Sequence, residues 1–190
     1  MKIYKIFKLK NGEELIIENA KKEDVKEITD VCNTTALETK YLTRGERDNL
    51  ISEEANLERI EDEAQSEKTA WLVARYKNKI VGHCSINACL FKKRFSHRCD
   101  ITISLLKDYW GLGIGGRMMS VLIEIATIEG FEQIELTVAE KNKRACDLYK
   151  AFGFVETGKT LNAFKYSDGT YDNYVDMIKF LKEPKNLDIR

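Results

Sequence analysis

The chain has 190 residues, enough for one domain with a substantial core. Its 31 basic and 31 acidic residues cancel, so the overall charge gives no reason to expect a nucleic acid or a membrane surface as partner. Because apolar runs fall well short of the roughly 20 residues of a membrane span, and the five cysteines include no C-x-x-C pair, we expect a reduced, cytoplasmic protein without a metal site.

The N-terminal part predicts a β-hairpin followed by a helix. Residues 3–9 and 14–18 alternate in polarity on either side of Asn11-Gly12, and Asn-Gly favours the tight turn of a hairpin. Residues 20–38 carry apolar side chains at spacings of three and four, which predicts an amphipathic helix.

A second helix is predicted over residues 46–67, after a loop at 39–45. This stretch holds nine acidic residues against two arginines. The acids could form a lip that attracts a cationic amine, or they could simply be the solvated face of a helix, which charge runs more often are.

A second hairpin is predicted from residues 69–76 and 79–90, joined by Lys77-Asn78. The basic loop at 91–98 follows, and it could contact an anion or lie free in solvent. His97 in that loop could face a substrate cleft, although a surface position is the simpler interpretation.

Residues 100–128 are the stretch around which the remaining elements are organised. Apolar and polar residues alternate from Asp100 to Leu105, which predicts a strand, and a helical pattern follows a glycine-rich turn. Glycines at a helix N-terminus let backbone N–H groups approach an oxyanion, and the helix dipole favours negative charge there. We therefore expect a pyrophosphate at the four glycines Gly111, Gly113, Gly115 and Gly116.

One interpretation of this turn is a dinucleotide site. Gly111, Gly113 and Gly116 satisfy G-x-G-x-x-G, and Glu140 lies near the offset of a ribose-binding acid. A dinucleotide-binding domain needs further βαβ units around the turn, however, and the sequence predicts only one.

Two motifs in order favour another interpretation. Residues 110–115, WGLGIG, resemble the acetyl-CoA loop R/Q-x-x-G-x-G of the GNAT superfamily of N-acetyltransferases, with Trp110 in place of Arg or Gln. After a strand predicted at 134–138, residues 142–154 read NKRACDLYKAFGF, which resembles the second motif of that family, N-x-x-A-x-x-L-Y-x-x-x-G-F.

The C-terminal part predicts a helix over 142–152, with Asn142 suited to its N-cap, and then a closing hairpin from 154–164 and 171–181. The resemblance implies a single N-acetyltransferase domain over residues 1–182, with a polar tail at 183–190. The implied fold class is α/β (α+β), with a mixed, mostly antiparallel central sheet, one βαβ crossover and flanking helices.

The implied reaction transfers the acetyl group of acetyl-CoA directly to a primary amine within a ternary complex. The acceptor could be a small molecule or a protein amine, and no metal, nucleic acid or membrane is implied. The closing hairpin could present an edge for a homodimer. A non-catalytic acyl-CoA-binding sensor or scaffold with the same fold is the alternative, and a dinucleotide-binding protein is the more remote one.

In this family the central strand and the next strand splay apart, and the pantetheine arm pairs with the central strand as an added strand would. Leu105 and Leu106 would supply the backbone groups, with one amide stabilising the thioester oxyanion. Arg117 or Lys107 could replace the missing guanidinium. The resemblance thus implies these cofactor-binding residues: Leu105, Leu106, Trp110, Gly111, Leu112, Gly113, Ile114, Gly115, Gly116, Asn142 and Tyr149.

The implied catalytic residues are Tyr149, Asp100 and Leu105. Tyr149 matches the motif tyrosine and would be the general acid that protonates the departing thiolate, although a tyrosine that only packs against the cofactor is an open alternative. Asp100 would act as the base through a water molecule. Glu135 and Glu38 are the alternative bases.

Overall fold

The computed structural model describes residues 2–44, 48–66, 68–89 and 92–183. The strands in these ranges are β1 Tyr4–Lys8, β2 Glu14–Asn19, β3 Ala70–Tyr76, β4 Lys79–Ala88, β5 Arg98–Leu105, β6 Gln133–Ala139, β7 Val155–Lys165 and β8 Tyr171–Phe180. The α-helices are α1 Val25–Glu38, α2 Glu53–Gln65, α3 Ile114–Ile128 and α4 Lys143–Ala151.

The strands of the described chain form one sheet in the order β1-β2-β3-β4-β5-β6-β8-β7. Neighbouring strands are antiparallel, except that β5 and β6 are parallel and connected through α3. The predicted mixed sheet with one βαβ crossover is therefore confirmed. The dinucleotide interpretation is wrong, because a single parallel pair is not the series of βαβ units that such a domain requires.

Helices cover both faces of the sheet, which gives the protein two apolar cores. On one face α3 buries Met118 and Leu122 against residues such as Ile134. On the other face α1 and α2 bury Ile28 and Ile60 against the β3 side chains Trp71 and Val73. Because β3 is buried on both faces, its sequence is apolar almost throughout instead of alternating.

The two N-terminal helices begin later than the sequence predicts. Residues Lys22–Asp24 form a 3₁₀ turn before α1 begins. Ser52 has an extended backbone and caps α2, because its Oγ accepts a hydrogen bond from the Ala55 N–H at 3.2 Å. The predicted ends of the second helix, Glu46 and Glu67, lie outside the described residues.

The acidic residues of α2 in the described chain are mostly exposed to solvent. Glu61 pairs with Lys22 at 2.5 Å, and Glu63 pairs with Arg59 at 3.2 Å. These positions favour the solvated-face interpretation of the charge run.

The helices of the described chain are too short or too polar to cross a membrane. The predicted end of the strand at Leu90 and most of the predicted tail, 184–190, also lie outside the described residues.

We expect Gly82→Ala to destabilise the protein by about 1–3 kcal/mol, as overpacking does. A Cβ at position 82 would lie 2.5 Å from the backbone oxygen of Ser104, so β4 and β5 would have to separate. Urea unfolding measures the change. Gly115→Ala is the matched control, because its Cβ meets only a Leu148 methyl at 3.7 Å. Equal unfolding midpoints for Gly82→Ala and the wild type would contradict the close approach of the two strands.

Candidate functional site

A cavity of about 510 Å³ opens at the end of β5. It lies between the C-terminal end of α1, the glycine turn before α3, and α4. The side chains and backbone that line it include Thr35, Thr39, Tyr41, Leu42, Ile103, Ser104, Leu105, Trp110, Asn142, Arg144, Asp147, Leu148 and Tyr149, together with most of the glycine turn.

The cavity exists because β5 and β6 stop pairing halfway along their length. Their register runs from Arg98 opposite Gln133 to Asp100 opposite Glu135. Beyond that point β6 continues to pair with β8 as far as Ala139, and β5 continues to pair with β4. The edge of β5 that faces β6 is therefore open from its middle to its end.

Strand alternation shows which backbone groups lie on this open edge. The Leu106 N–H donates to the Val81 oxygen of β4 at 2.9 Å. Because successive residues of a strand direct their N–H and C=O groups to opposite sides, Leu105 and Ile103 direct theirs away from β4 and toward the cavity. The prediction that the Leu106 N–H is available to the cofactor is therefore wrong, because this N–H is already bonded within the sheet. Ile103, whose backbone groups face the cavity, was missed by the sequence reasoning.

The Trp110 side chain already forms a hydrogen bond with one of the backbone groups on this edge. Its indole N–H donates to the Leu105 oxygen at 2.8 Å, which ties the glycine turn to the end of β5. The groups of this edge that remain for a ligand at the cavity include the N–H and C=O of Ile103 and the N–H of Leu105. Trp110 therefore shapes the cavity through its side chain instead of binding an anion through a charge.

The glycine turn has the geometry of an oxyanion site. Gly111 and Gly113 both have φ +84°, a left-handed conformation that glycine adopts without strain, and no heavy atom lies within 4 Å of a Cβ built at either position. Gly113 precedes the first turn of α3, where the N–H groups have no partner within the helix. The residues of this turn therefore leave room for a pyrophosphate beside backbone N–H groups.

A guanidinium does lie beside the turn, but it comes from another element. The Arg144 guanidinium of α4 stacks over the Trp110 ring at 4.8 Å, and both residues line the cavity. The predicted Arg117 instead stacks over the Phe7 ring at 5.3 Å, on the β1 side of α3. Sequence reasoning missed Arg144 because its partner Trp110 is 34 residues away in the chain, although a basic residue inside the second motif was a visible signal.

Asn142 and Tyr149 place α4 against the cavity. The Asn142 Oδ1 accepts a hydrogen bond from the Ala145 N–H at 3.2 Å, so its side chain caps the helix, one of its two predicted roles. The Tyr149 ring packs against Phe154 at 5.8 Å. Burial raises the pKa of Tyr149 to about 12, with a smaller contribution from Cys146, so the phenol keeps its proton at neutral pH.

The structure does not bring Asp100 to the cavity. Asp100 lies where β5 is still paired with β6, and its carboxylate accepts a hydrogen bond from Asn87 Nδ2 at 2.9 Å. Five residue steps along the strand lead from Asp100 to Leu105, roughly 16 Å at 3.3 Å per residue. Asp100 is therefore too distant to act as the predicted base, even through one water molecule.

The two alternative acids differ in position. Glu135 forms a bidentate ion pair with Arg98. Burial raises the pKa of Glu135, but this ion pair and a hydrogen bond from Gln133 outweigh burial, so the pKa lies below its ordinary value. Glu38, at the end of α1, accepts a hydrogen bond from the Lys107 N–H at 2.8 Å. Glu38 is thus the predicted acid that reaches the cavity end of β5.

His83 lies on β4, on the face of the sheet that α1 and α2 cover. It is opposite Ser104 in the β4–β5 register, and its Nδ1 accepts a hydrogen bond from the Trp71 indole N–H at 3.3 Å. Burial lowers the pKa of His83 from 6.5 to about 3, and the charges of Arg59 and Arg44 add to this effect. The imidazole is therefore neutral and carries its proton on Nε2.

We expect His83 to remain the neutral Nε2–H tautomer at pH 5, measured by long-range ¹H–¹⁵N NMR. Because its folded pKa lies below its ordinary value, its contribution to stability is lost as the pH falls from about 6.5 toward 3. His97→Gln identifies the His83 signals, since the chain has two histidines. An imidazolium signal from His83 at pH 5 in a folded protein would disprove this environment.

Comparison with known proteins agrees with this geometry. The acetyltransferase (GNAT) family model matches residues 23–154. A GNAT-family acetyltransferase from Streptococcus pneumoniae superposes with a TM-score of 0.82 at 28% identity, over 88% of this chain and 99% of that one. A phosphinothricin acetyltransferase from Sinorhizobium meliloti in complex with AcCoA has a TM-score of 0.79 at 18% identity, over 96% of this chain and 95% of that one.

Among curated proteins, thialysine N-epsilon-acetyltransferase from Bos taurus is 46% identical over 46 residues. That alignment covers 24% of this chain and 27% of the bovine protein, so it spans about a quarter of each. The family model, in contrast, extends over both motifs and the strands β3 to β6, which include the two strands that part at the cavity. This chain belongs to the acetyltransferase (GNAT) family.

Proposed function

We propose that the protein is an N-acetyltransferase that transfers the acetyl group of acetyl-CoA to a primary amine. The observation that carries this proposal is the open edge of β5, which meets the glycine turn and the Tyr149 phenol within one cavity. The acetyl-CoA in the complex of the Sinorhizobium meliloti relative supports the same cofactor here.

Acetyl-CoA, when bound, supplies an acetyl group as a thioester. We assign its pyrophosphate to the N–H groups of the glycine turn and the first turn of α3, with the Arg144 guanidinium beside them. The Ile103 N–H and C=O would pair with the pantetheine arm. The Leu105 N–H would donate to the thioester oxygen and stabilise the negative charge that develops there.

Tyr149 and Glu38 are assigned the proton transfers. The buried phenol of Tyr149 is protonated at neutral pH and would donate its proton to the departing sulfur. The Glu38 carboxylate, at the cavity end of β5, would accept the amine proton through water. We further propose that both substrates bind together in a ternary complex, since the end of α1 and the glycine turn line the same cavity.

The two alternatives fit the structure less well. A sensor or scaffold would not require Tyr149, yet this residue lines the cavity with a protonated phenol. A dinucleotide-binding protein would need Glu140 for a ribose, but Glu140 is bonded to Lys159 and Asn173. The five cysteines are free thiols, which supports a reducing, cytoplasmic location.

We expect Gly113→Val to reduce acetyl-CoA affinity at least about tenfold in calorimetric titration, because a branched side chain would both strain the turn and occupy the space of the pyrophosphate. Gly130→Val is the matched control. Gly130 has φ +78° and equally open surroundings, but it follows the C-terminal end of α3, so this variant carries the same kind of strain at the opposite end of the helix from the glycine turn. Equal affinities for the two variants would show that the turn does not bind the phosphates.

We expect Tyr149→Phe to lower kcat at least about tenfold while the acetyl-CoA affinity stays within about twofold, because the ring would keep its packing and lose only its proton. Mass spectrometry of acetylated amines measures the rate. Tyr171→Phe, at an exposed position of β8, is the control. A wild-type rate for Tyr149→Phe would show that Tyr149 does not transfer a proton. It would favour the alternative that Tyr149 only packs against the cofactor.

A further inference from the structure

A second polar site lies between α1, α2 and β4, beside the cavity. Arg44 enters it from the segment that follows α1. Its Nη2 donates to the Cys32 oxygen at 2.7 Å, whereas its Nη1 is buried and has no hydrogen-bond partner. A buried guanidinium nitrogen without an acceptor is unfavourable unless a ligand supplies one, because its hydration is lost and not replaced.

The neighbours of Arg44 also offer donors or positive charge. His83 accepts from Trp71 through Nδ1, so its Nε2–H is a second donor. The Arg59 guanidinium lies 4.0 Å above the Trp71 ring, and both arginines are close enough to His83 to lower its pKa. Glu63 pairs with Arg59 through Oε1, while Glu63 Oε2 and Arg44 Nη1 are both buried without a hydrogen-bond partner. Of these two atoms, the Arg44 nitrogen is the donor, which an anion can satisfy.

This donor cluster is adjacent to the position of acetyl transfer. His83 is the register partner of Ser104, and paired strand residues have Cα atoms about 5.5 Å apart. Ser104 in turn lines the cavity next to Leu105, whose N–H we assign to the thioester oxygen. If the amine of a substrate lies at Ser104, a second group of the same molecule, a few bonds from the amine, could therefore reach Arg44 and His83.

We propose that the acceptor is an amine that also carries an oxyanion, a carboxylate or a phosphonate, which Arg44 Nη1 and His83 Nε2–H bind. This inference rests on the proposed acetyl transfer and narrows its substrate class. The proposed acceptor differs from a cationic amine attracted by the acids of α2, because these acids mostly face solvent and Glu63 is already paired with Arg59.

The test compares amines that differ only in the anion, with acetyl-CoA saturating. 4-Aminobutyrate is compared with n-butylamine, and L-lysine with cadaverine; the second amine of each pair lacks the carboxylate. 3-Aminopropylphosphonate, compared with 4-aminobutyrate, distinguishes a phosphonate from a carboxylate. We expect kcat/KM to be at least about tenfold higher for an oxyanion-bearing amine than for its counterpart, in line with a charge-assisted hydrogen bond.

Arg44→Gln should remove this preference, and Arg44→Lys should retain part of it. Arg94→Gln, which changes an exposed arginine of the 92–98 loop, should leave the preference intact. An acetyl-CoA affinity within about twofold of wild type shows that each variant is folded. Wild-type enzyme without preference, or Arg44→Gln with the wild-type preference, would overturn the inference.

A binding measurement separates this inference from the proposed function. Calorimetry of the CoA-saturated protein with each oxyanion-bearing amine tests the anion site even where no amine is acetylated. Binding that Arg44→Gln weakens at least about tenfold supports the site, and in that case absent turnover counts against acetyl transfer alone. No binding by the wild type, or equal binding by Arg44→Gln, overturns the anion site whatever the turnover.

Discussion

The loss of pairing between β5 and β6 is the constraint on which the rest of the site depends. Each of these strands keeps its other neighbour, β4 for β5 and β8 for β6, so the sheet stays continuous while a gap opens within it. The gap exposes backbone donors and acceptors that have no partner in the sheet. An extended ligand can satisfy them as a strand would, and the glycine turn lies at the end of the same gap.

Charge is used sparingly around this gap. The glycine turn provides backbone N–H groups, and Arg144 stacks on Trp110 beside them. Burial keeps Tyr149 protonated and His83 neutral at physiological pH, so both can donate hydrogen bonds without adding charge. Against this background, Arg44 Nη1 is a buried, charged donor without an acceptor. Glu63 Oε2 is also buried without a partner, but Glu63 is paired with Arg59 through its other oxygen.

Much of the fold could be predicted from the sequence, because its signals are local. The hairpins follow from turn residues between alternating runs, and α3 follows from glycines before an apolar stripe of helical spacing. The second helix was predicted too early because its acidic residues extend beyond the helix, whereas the helix begins where Ser52 caps it. Element type follows from periodicity, while an element boundary depends on one capping contact.

The sequence by itself determined the glycine turn, the motif around Tyr149 and the Asn142 cap, since each lies within a few consecutive residues. Only the tertiary structure decided that the Leu106 N–H is paired with β4 and that the Ile103 backbone faces the cavity. It also decided that Asp100 lies in the part of β5 that is still paired with β6. It alone placed Arg144 on Trp110 and Arg44 near His83. The physical reason is that strand register and side-chain packing join residues distant in the chain, and no local pattern records which edge of a strand is left without a neighbour.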